Sequence, residues 1–558
     1  MIKKLLLLLS FLFFACAIQG PPSGGPVDRT PPEIVQTSLL PGTINVPMDL
    51  NEVQITFSER IKEGSERNNL FISPPLTLEN SWKKGRILKI RFLEELKKDQ
   101  TYVLTLGSGI QDLRNNKMAQ SFSLAFSTGD SIDQGQITGK VYGLKQNETF
   151  NIFAYLLSDT SDFNPFKTKP DYISQTGEEG SFALKFIKDG CYRLLAVEDR
   201  NHNFLLNALT ERFAIAYQDV CLDKEKNVFS GLGLQLAKFD TIAPQIIDVK
   251  ALFNDFIRVR FSEPVVLDST LRVELIDSLN GMTIPIVQTG KNWQNANWFE
   301  ILTQPLDSLT TYQIQFSQLK DSSGNVQQRD LIRYFKGTAK KDTSRFRLET
   351  YSPQDSAKNV RPETHIYFKF SLPVDWEELS KRFKLTSSSG NLVKGTWRLN
   401  SLYDGAFVPG QNLKPDSQYV VWLPLRKVHD FRGQPCVDSL DSFTFFMVSN
   451  KELGEVSGNL NLKKVENPVI LKLVSLSGKR LTLKTVLQGR NRFYFPFVPE
   501  GEYQLQGYVD QNRNGQFDSG KLRPFHFCEP FAFSPDTIQV RKRWETSGIQ
   551  FNLPEIEE

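Results

Sequence analysis

The chain has 558 residues, 40% of them hydrophobic and 23% charged. That is a globular composition with room for several domains of about 100 to 200 residues each, and it excludes disorder as the main state. Lys and Arg number 67 against 63 Asp and Glu, a net charge of +4, too even a balance to draw the chain onto a polyanion, so nucleic acid is excluded as a partner. Four His (His202, His365, His429, His526) and five Cys (Cys16, Cys191, Cys221, Cys436, Cys528) are scattered along the chain, which leaves most zinc, haem and iron–sulfur schemes short of ligands.

Residues 1–15 open with Met1-Ile2-Lys3-Lys4 and continue as a short apolar run to Ala15, the pattern of a signal peptide and too short to span a bilayer. Phe13-Phe14-Ala15-Cys16 resembles a bacterial lipobox, which implies that Cys16 receives lipid and becomes the mature N-terminus. Ala17 after it resembles the sorting signal of lipoproteins sent on to the outer membrane. The expected location is therefore the outer membrane, lipid-anchored, with the periplasmic or exterior face left open. Residues 16–28, rich in Gly, Pro and Ser, read as a flexible tether. No later stretch is long enough for a transmembrane helix.

Beyond the tether two kinds of repeat alternate. The first unit opens near Asp28-Arg29-Thr30-Pro31-Pro32 and again near Asp240-Thr241-Ile242-Ala243-Pro244, with a weaker echo at Asp342-Thr343-Ser344. Alternating strands follow, ending Phe57-Ser58-Glu59, Phe261-Ser262-Glu263 and Phe370-Ser371-Leu372, each with the period of a half-buried strand. Later in every copy a Leu lies six residues before a Tyr: Leu96 and Tyr102, Leu306 and Tyr312, Leu413 and Tyr419. This spacing resembles the tyrosine corner of Ig-like sandwiches, in which the phenol hydroxyl bonds back to upstream backbone. Asp-centred turns at Asp112, Asp321 and Asp430 follow, and aromatic strands close each copy. Together with Gly42-Thr43-Ile44-Asn45-Val46-Pro47, these residues resemble the bacterial Ig-like domain of the S-layer (SbsA) type. The resemblance implies β-sandwich modules of envelope and surface proteins, with no catalytic machinery.

The second unit appears twice, at a constant offset of 311 residues. Phe182, Phe186, Gly190, Tyr192, Leu194, Asp199, Asn201 and Asn203 correspond to Phe493, Phe497, Gly501, Tyr503, Leu505, Asp510, Asn512 and Asn514. Its opening Gly-x-(Ile or Val)-x-Gly strand, alternating Phe strand and Gly-x-Tyr resemble the prealbumin-like sandwich, the regulatory-like domain of carboxypeptidases, which implies a folding and binding module. The expected organisation is all-β: Ig-like sandwiches over 29–129, 239–338 and 342–448, and prealbumin-like sandwiches over 133–238 and 452–553. One helix is predicted, over 375–383.

Candidate chemistry is sparse. Asp510, Asn512, Asn514, Gln516 and Asp518, with Gly515 between, place oxygen ligands at a spacing that suits calcium, although Lys521 stands where an EF-hand has its bidentate Glu. The same residues also suit an Asx-rich turn. No other cofactor is implied and none is required. Cys191 and Cys221 form a candidate disulfide in an exported domain, against the alternative of two buried thiols. Buried free thiols are expected for Cys436 and Cys528. Glu59 and Glu263 read as solvated or turn-bonded carboxylates. Trp293 and Trp298 could stack on sugar rings or serve as packing. Eight tripeptides of the form Asp-(Ser or Thr)-(Ala, Ile, Leu or Thr), at Asp130, Asp240, Asp268, Asp277, Asp307, Asp355, Asp438 and Asp536, resemble an O-glycosylation sequon of some two-membrane bacteria and are also turn formers. Hydrolase elbows, zinc-protease helices and phosphate loops are absent from the sequence. The sequence thus points to a non-enzymatic envelope lipoprotein, held to the membrane by its N-terminal lipid and contacting an unknown envelope protein or glycan. The alternative is a glycan-binding accessory lipoprotein of a polymer-uptake system.

Overall fold

The computed structural model describes residues 28–74, 76–146, 148–157, 163–208, 210–237, 242–462, 466–478 and 480–555; the lipidation candidate Cys16, the signal peptide and most of the tether lie outside them. The fold is all-β. It divides into two compact units, Met1–Asn207 with Glu211–Ala237, and Ala208–Thr210 with Lys238–Glu558. Among the described residues no helix is long and apolar enough to cross a membrane.

The first unit starts with two facing sheets. One runs in the order Ile34–Thr37, Glu52–Phe57, Ile87–Phe92, Leu78–Lys83, the other Leu70–Ser73, Thr101–Leu106, Phe122–Ser127. Alternation decides which side chains meet: Val53 faces Ile90 and Ile55 faces Leu88 across the ladder, and these four join Phe57, Leu104 and Phe126 in one core. In the second unit the same two sheet orders recur over 246–336, and again over 348–447 with an added edge strand, Ala357–Val360, parallel to Ser442–Met447. The helix is Trp376–Arg382, N-capped by Asp375, whose carboxylate accepts the Glu378 N–H at 2.9 Å. Its buried Trp376 and Leu379 close the end of that sandwich.

The other topology appears once per unit. In the first, Gly135–Tyr142 pairs antiparallel with Ser181–Ile187 and parallel with Val228–Gln235. In the second, Leu453–Asn461 does the same with Arg492–Pro499 and Glu545–Asn552. The opening glycine pattern has a steric cause. A Cβ at Gly139 would stand 2.1 Å from the Leu232 carbonyl oxygen and 2.6 Å from the Phe182 ring, and one at Gly458 would stand 2.2 Å and 2.5 Å from Ile549 O and Phe493. The parallel neighbour and the motif's own Phe fill that space.

The corner tyrosines perform one task five times. The hydroxyls of Tyr102, Tyr312 and Tyr419 accept the backbone N–H of Lys97, Asp307 and Lys414 at 2.8, 2.8 and 3.0 Å. In the other topology the hydroxyls of Tyr192 and Tyr503 donate to the carbonyls of Lys188 and Pro499 at 2.7 and 2.9 Å. Four of the five bonds satisfy a backbone group outside the strands, and the fifth holds the last residue of Arg492–Pro499, while the ring fills the core.

The sandwiches within a unit are joined by side chains committed to the joint. In the first unit the outer face of the three-stranded sheet lies under the next sandwich. Gln175 Oε1 accepts the Gly109 N–H at 3.3 Å, its amide donates to Asn151 Oδ1 at 2.9 Å, and Ser108 Oγ donates to the Thr176 carbonyl at 2.7 Å. Phe71 meets Phe204 edge-on with ring centroids 5.5 Å apart. A Cβ at Gly107 would come within 2.1 Å of Gln175 Oε1, so only glycine leaves the notch open. In the second unit the Arg432 guanidinium binds Asp255 through Nε and Nη2 at 2.6 and 2.7 Å and Asp342 through Nη1 at 3.3 Å. Phe256, Leu302, Leu402 and Tyr403 form a small core beside it.

Tyr102→Phe should destabilise the first sandwich by about 1 to 2 kcal/mol, because the Lys97 N–H loses its acceptor while the ring stays. Urea unfolding of the full chain measures this, and an unchanged midpoint would show that the corner bond contributes nothing.

Candidate functional site

Two sets of carboxylates depart from an ordinary solvated surface. In the first sandwich Asp112 is fully buried. Its Oδ1 accepts the N–H groups of Arg114 and Asn116, each at 2.8 Å, and its Oδ2 accepts the Asn116 side-chain amide at 2.8 Å. Beside it stand Asp28 and Glu59, with one oxygen of each of the three residues within 4.8 Å of the others. Burial first, then the charges of Asp112 and Asp28, pushes the Glu59 carboxyl above its ordinary pKa. From sequence Glu59 is expected to be a solvated or turn-bonded group; the structure gathers the opening Asp, the Glu after Phe-Ser and the turn Asp of one repeat at one point. Each was visible as a repeat feature, but only the fold shows that they converge. Three hard oxygen donors at this spacing suit a divalent cation.

The other copies alter this cluster. Asp321 repeats the turn, accepting the N–H groups of Ser323 and Asn325 at 2.8 and 2.9 Å and the Asn325 amide at 2.7 Å; its opening Asp240 lies outside the described residues. In the third copy Leu372 replaces the Glu and Gln434 replaces the Asn. Asp430 Oδ2 is then left without a partner, and Arg432, two residues on, neutralises the opening Asp342. The acidic cluster of copy one is thus a cation-bridged joint in copy three.

The second set is the loop predicted as a calcium candidate. Asp510 is buried; its two oxygens accept the N–H groups of Asn514 and Gly515 at 3.0 and 2.9 Å. Asn512 Oδ1 accepts Asn514 N–H at 3.0 Å, Asn514 Oδ1 accepts Gln516 N–H at 2.7 Å, and the amides of Asn512 and Asn514 both donate to Asp518 Oδ2. Gln516 enters through its backbone. The loop is therefore closed by its own N–H groups as a ladder of Asx turns. Glu529 completes it from the following strand entry: buried, it accepts the N–H groups of Gln511 and Asp518 at 2.8 and 3.0 Å. Glu211 does the same for Arg200 and Asn207 in the earlier copy, at 3.2 and 2.8 Å. Sequence spacing did not reveal either glutamate, since the two intervening loops differ in length.

Cys191 and Cys221 stand opposite each other on adjacent strands and are joined by a disulfide. Cys436 and Cys528 are buried free thiols, with burial pushing both pKa values up. The two tryptophans considered for sugar stacking each carry a cation over the ring: Lys369 Nζ lies 3.1 Å from the Trp293 centroid and the Arg258 guanidinium carbon 4.3 Å from that of Trp298. Each thereby has one face occupied. The hydroxyl residues of the Asp-(Ser or Thr) tripeptides that are described, Ser131, Ser269, Ser278, Ser308, Ser356, Ser439 and Thr537, are all exposed, whereas fewer than half of all described Ser and Thr are.

Residues 28–128 and 342–446 match the family model described as bacterial Ig-like domain. The chain carries two bacterial Ig-like domains. The segment between them, 246–336, has their sheet order without that match. No curated protein matches the chain. Among solved structures it is similar to domains 1–6 of the surface layer protein SbsC, with 9% identity over 93% of this chain and 68% of that one at a TM-score of 0.14. A tetra-tandem repeat from the extending region of a large adhesion protein matches with 11% identity over 72% and 99% at 0.15. Native Escherichia coli alpha-2-macroglobulin, domains MG0-NIE-MG1, matches with 10% identity over 55% and 96% at 0.15.

Burial first, with the charges of Asp518 and Asp510 adding to it, pushes Glu529 up to about 7 from its ordinary 4.5. The folded chain thus holds this proton in a pH range where the unfolded chain has released it. Stability should fall as pH rises from about 4.5 to about 7 and level off above. Glu529→Gln should flatten that slope. Thermal melting with chelator across this range measures it, and an identical slope in the variant would contradict the assignment.

Proposed function

We propose that the chain is a non-enzymatic envelope lipoprotein, anchored to the outer membrane through Cys16, whose sandwiches form a spacer and binding scaffold. The observation that supports this reading most is where the polar side chains go. Arg432 with Asp255, Gln175 with Gly109, and Lys369 with Trp293 connect one sandwich to the next. The corner tyrosines and turn aspartates are bound to backbone. Ionic and amide groups that an enzyme would direct at a substrate are here used to fix sandwich against sandwich. Bacterial Ig-like domains are scaffold modules in general, and a fold of this kind acquires activity only through a site built on it.

In this reading the mechanism is geometric: joints built from buried pairs hold the orientation of neighbouring sandwiches, and the chain presents contact surfaces for a protein or a glycan at a set distance from its anchor. Calcium at Asp510, Asn512, Asn514 and Asp518 would enter only as a stiffener of a loop that its own N–H groups already close. Equal melting temperatures with calcium and with chelator would remove that role. The glycan-accessory reading loses support from the cations over Trp293 and Trp298. Unchanged retention of Trp293→Ala and Trp298→Ala on a glycan array would end it.

The anchor is tested by fractionating cells that express the wild type or Cys16→Ser, with protease added to intact cells. The wild type should sediment with membranes and the variant should not; equal sedimentation would overturn the lipoprotein reading. Digestion of the wild type in intact cells would place the sandwiches outside, and protection would place them in the periplasm.

A further inference from the structure

The first unit shows what covers the outer face of an Ig-like three-stranded sheet. Phe71, Val103 and Thr105 point away from their own core, yet each is only 4% exposed or less, because the following prealbumin-like sandwich lies on them through Gln175 and Phe204. The third Ig-like copy also precedes a prealbumin-like sandwich, and its corresponding sheet is uncovered.

The register fixes the correspondence. Three residues after each corner tyrosine, Thr105 is replaced by Trp422. One residue beyond the strand partner of that tyrosine, Ser127 is replaced by Phe446. Trp422 is 49% exposed and Phe446 37%, with Val420 between them on the same face. The other half of the joint is also present and also uncovered. Gln175 pairs with Asn151, whose other neighbour is Val197; Val486 pairs with Ile470, whose other neighbour is Tyr508. Val486 therefore holds the Gln175 position, and Tyr494 that of Ala183. Both are 46% exposed, where Gln175 is buried. The joint's polar insertion has become apolar on both sides, Thr to Trp and Gln to Val. The aromatic contact of the first joint is not kept: Lys384, paired across from Trp422, holds the position of Phe71, which pairs across from Thr105, and Gly515 holds that of Phe204. The charge this brings to one face is opposite to that of Glu455 and Glu545, which lie by the Tyr494 hydroxyl on the other.

We propose that these two faces are halves of one docking joint that closes between two copies of this chain, the third Ig-like sandwich of one copy receiving the last prealbumin-like sandwich of the other. Closure within one chain is opposed by how the connection between these sandwiches is tied. Asp416 accepts the Asn450 N–H at 2.9 Å, Lys542 bridges Glu452 at 2.7 Å, and Arg543 Nε reaches the Lys451 carbonyl at 3.3 Å. These ties hold while both faces stay open. Two copies related by a two-fold axis close two such joints at once and break none of them, the self-complementary arrangement that symmetric dimers favour. Exposed aromatic and branched residues on facing surfaces are the anchors such an interface needs.

Sedimentation of the full chain carrying Cys16→Ser, over a concentration series, tests this. The chain should form a dimer that Trp422→Ala and Val486→Asp each weaken by about tenfold or more. At concentrations where the wild type is a monomer, melting temperatures should change little, since both residues lie at the surface. Two differently tagged chains, one with Val420→Cys and the other with Val486→Cys, should cross-link to each other when mixed. A monomer at every concentration, or a dimer indifferent to both substitutions, would overturn the proposal. A cross-link formed within a monomer that carries both cysteines would also overturn it, by showing that the joint closes in one chain.

Discussion

Small sandwiches have a shortage of partners for backbone groups where the chain crosses between sheets, and the structure depends on how that shortage is met. Ladders satisfy the strands, but each crossing leaves N–H and C=O groups at the edge of the core that need a partner from elsewhere. Here a tyrosine hydroxyl or an aspartate carboxylate reaches them from inside: Tyr102, Tyr312 and Tyr419 at the corners, Tyr192 and Tyr503 in the other topology, Asp112, Asp321 and Asp430 in the turns. Because one aromatic residue both fills the core and ties the crossing, spacing along the chain is held while the residues between vary. This is why repeats with little overall likeness remain recognisable.

The same economy extends to the joints. Where Asp112 keeps Asp28 and Glu59 beside it, the third copy has Leu372, and the arginine two residues after the turn, exposed as Arg114 in the first copy, is here Arg432, which makes Asp342 one arm of a bridge to the neighbouring sandwich. Breaking such a half-buried pair from one side leaves charge without compensation, so the bridge fixes orientation more than it adds stability. In the first unit neutral groups do the corresponding work, with Gln175 seated in a notch that Gly107 keeps open. A chain of sandwiches held in this way suits a role in which position is the output.

Period-two alternation made the strands legible in the sequence, and the Leu-to-Tyr spacing showed where crossings fall. The helix was readable from Asp375 and its first turn of acids, and it ends one residue earlier than its pattern because Phe383 turns into the extended backbone of the next strand. What sequence could not show was convergence. Glu59 and Asp112 are 53 positions apart, and Glu211 and Glu529 close their loops across insertions of different length. Each depends on which strands become neighbours. The tryptophans 293 and 298 were legible as aromatic but not as covered, since the cation over Trp293 comes from Lys369 in another sandwich.

Within each unit these joints hold neighbouring sandwiches at a fixed orientation. The most direct measurement is the distance distribution between spin labels at Ser81 and Ser230, exposed positions on the two sandwiches of the first unit, determined by pulsed electron resonance on the full chain. A single narrow distance is expected, broadening when Gly107 is replaced by Val. A broad distribution in the unmodified joint, unchanged by that substitution, would contradict it.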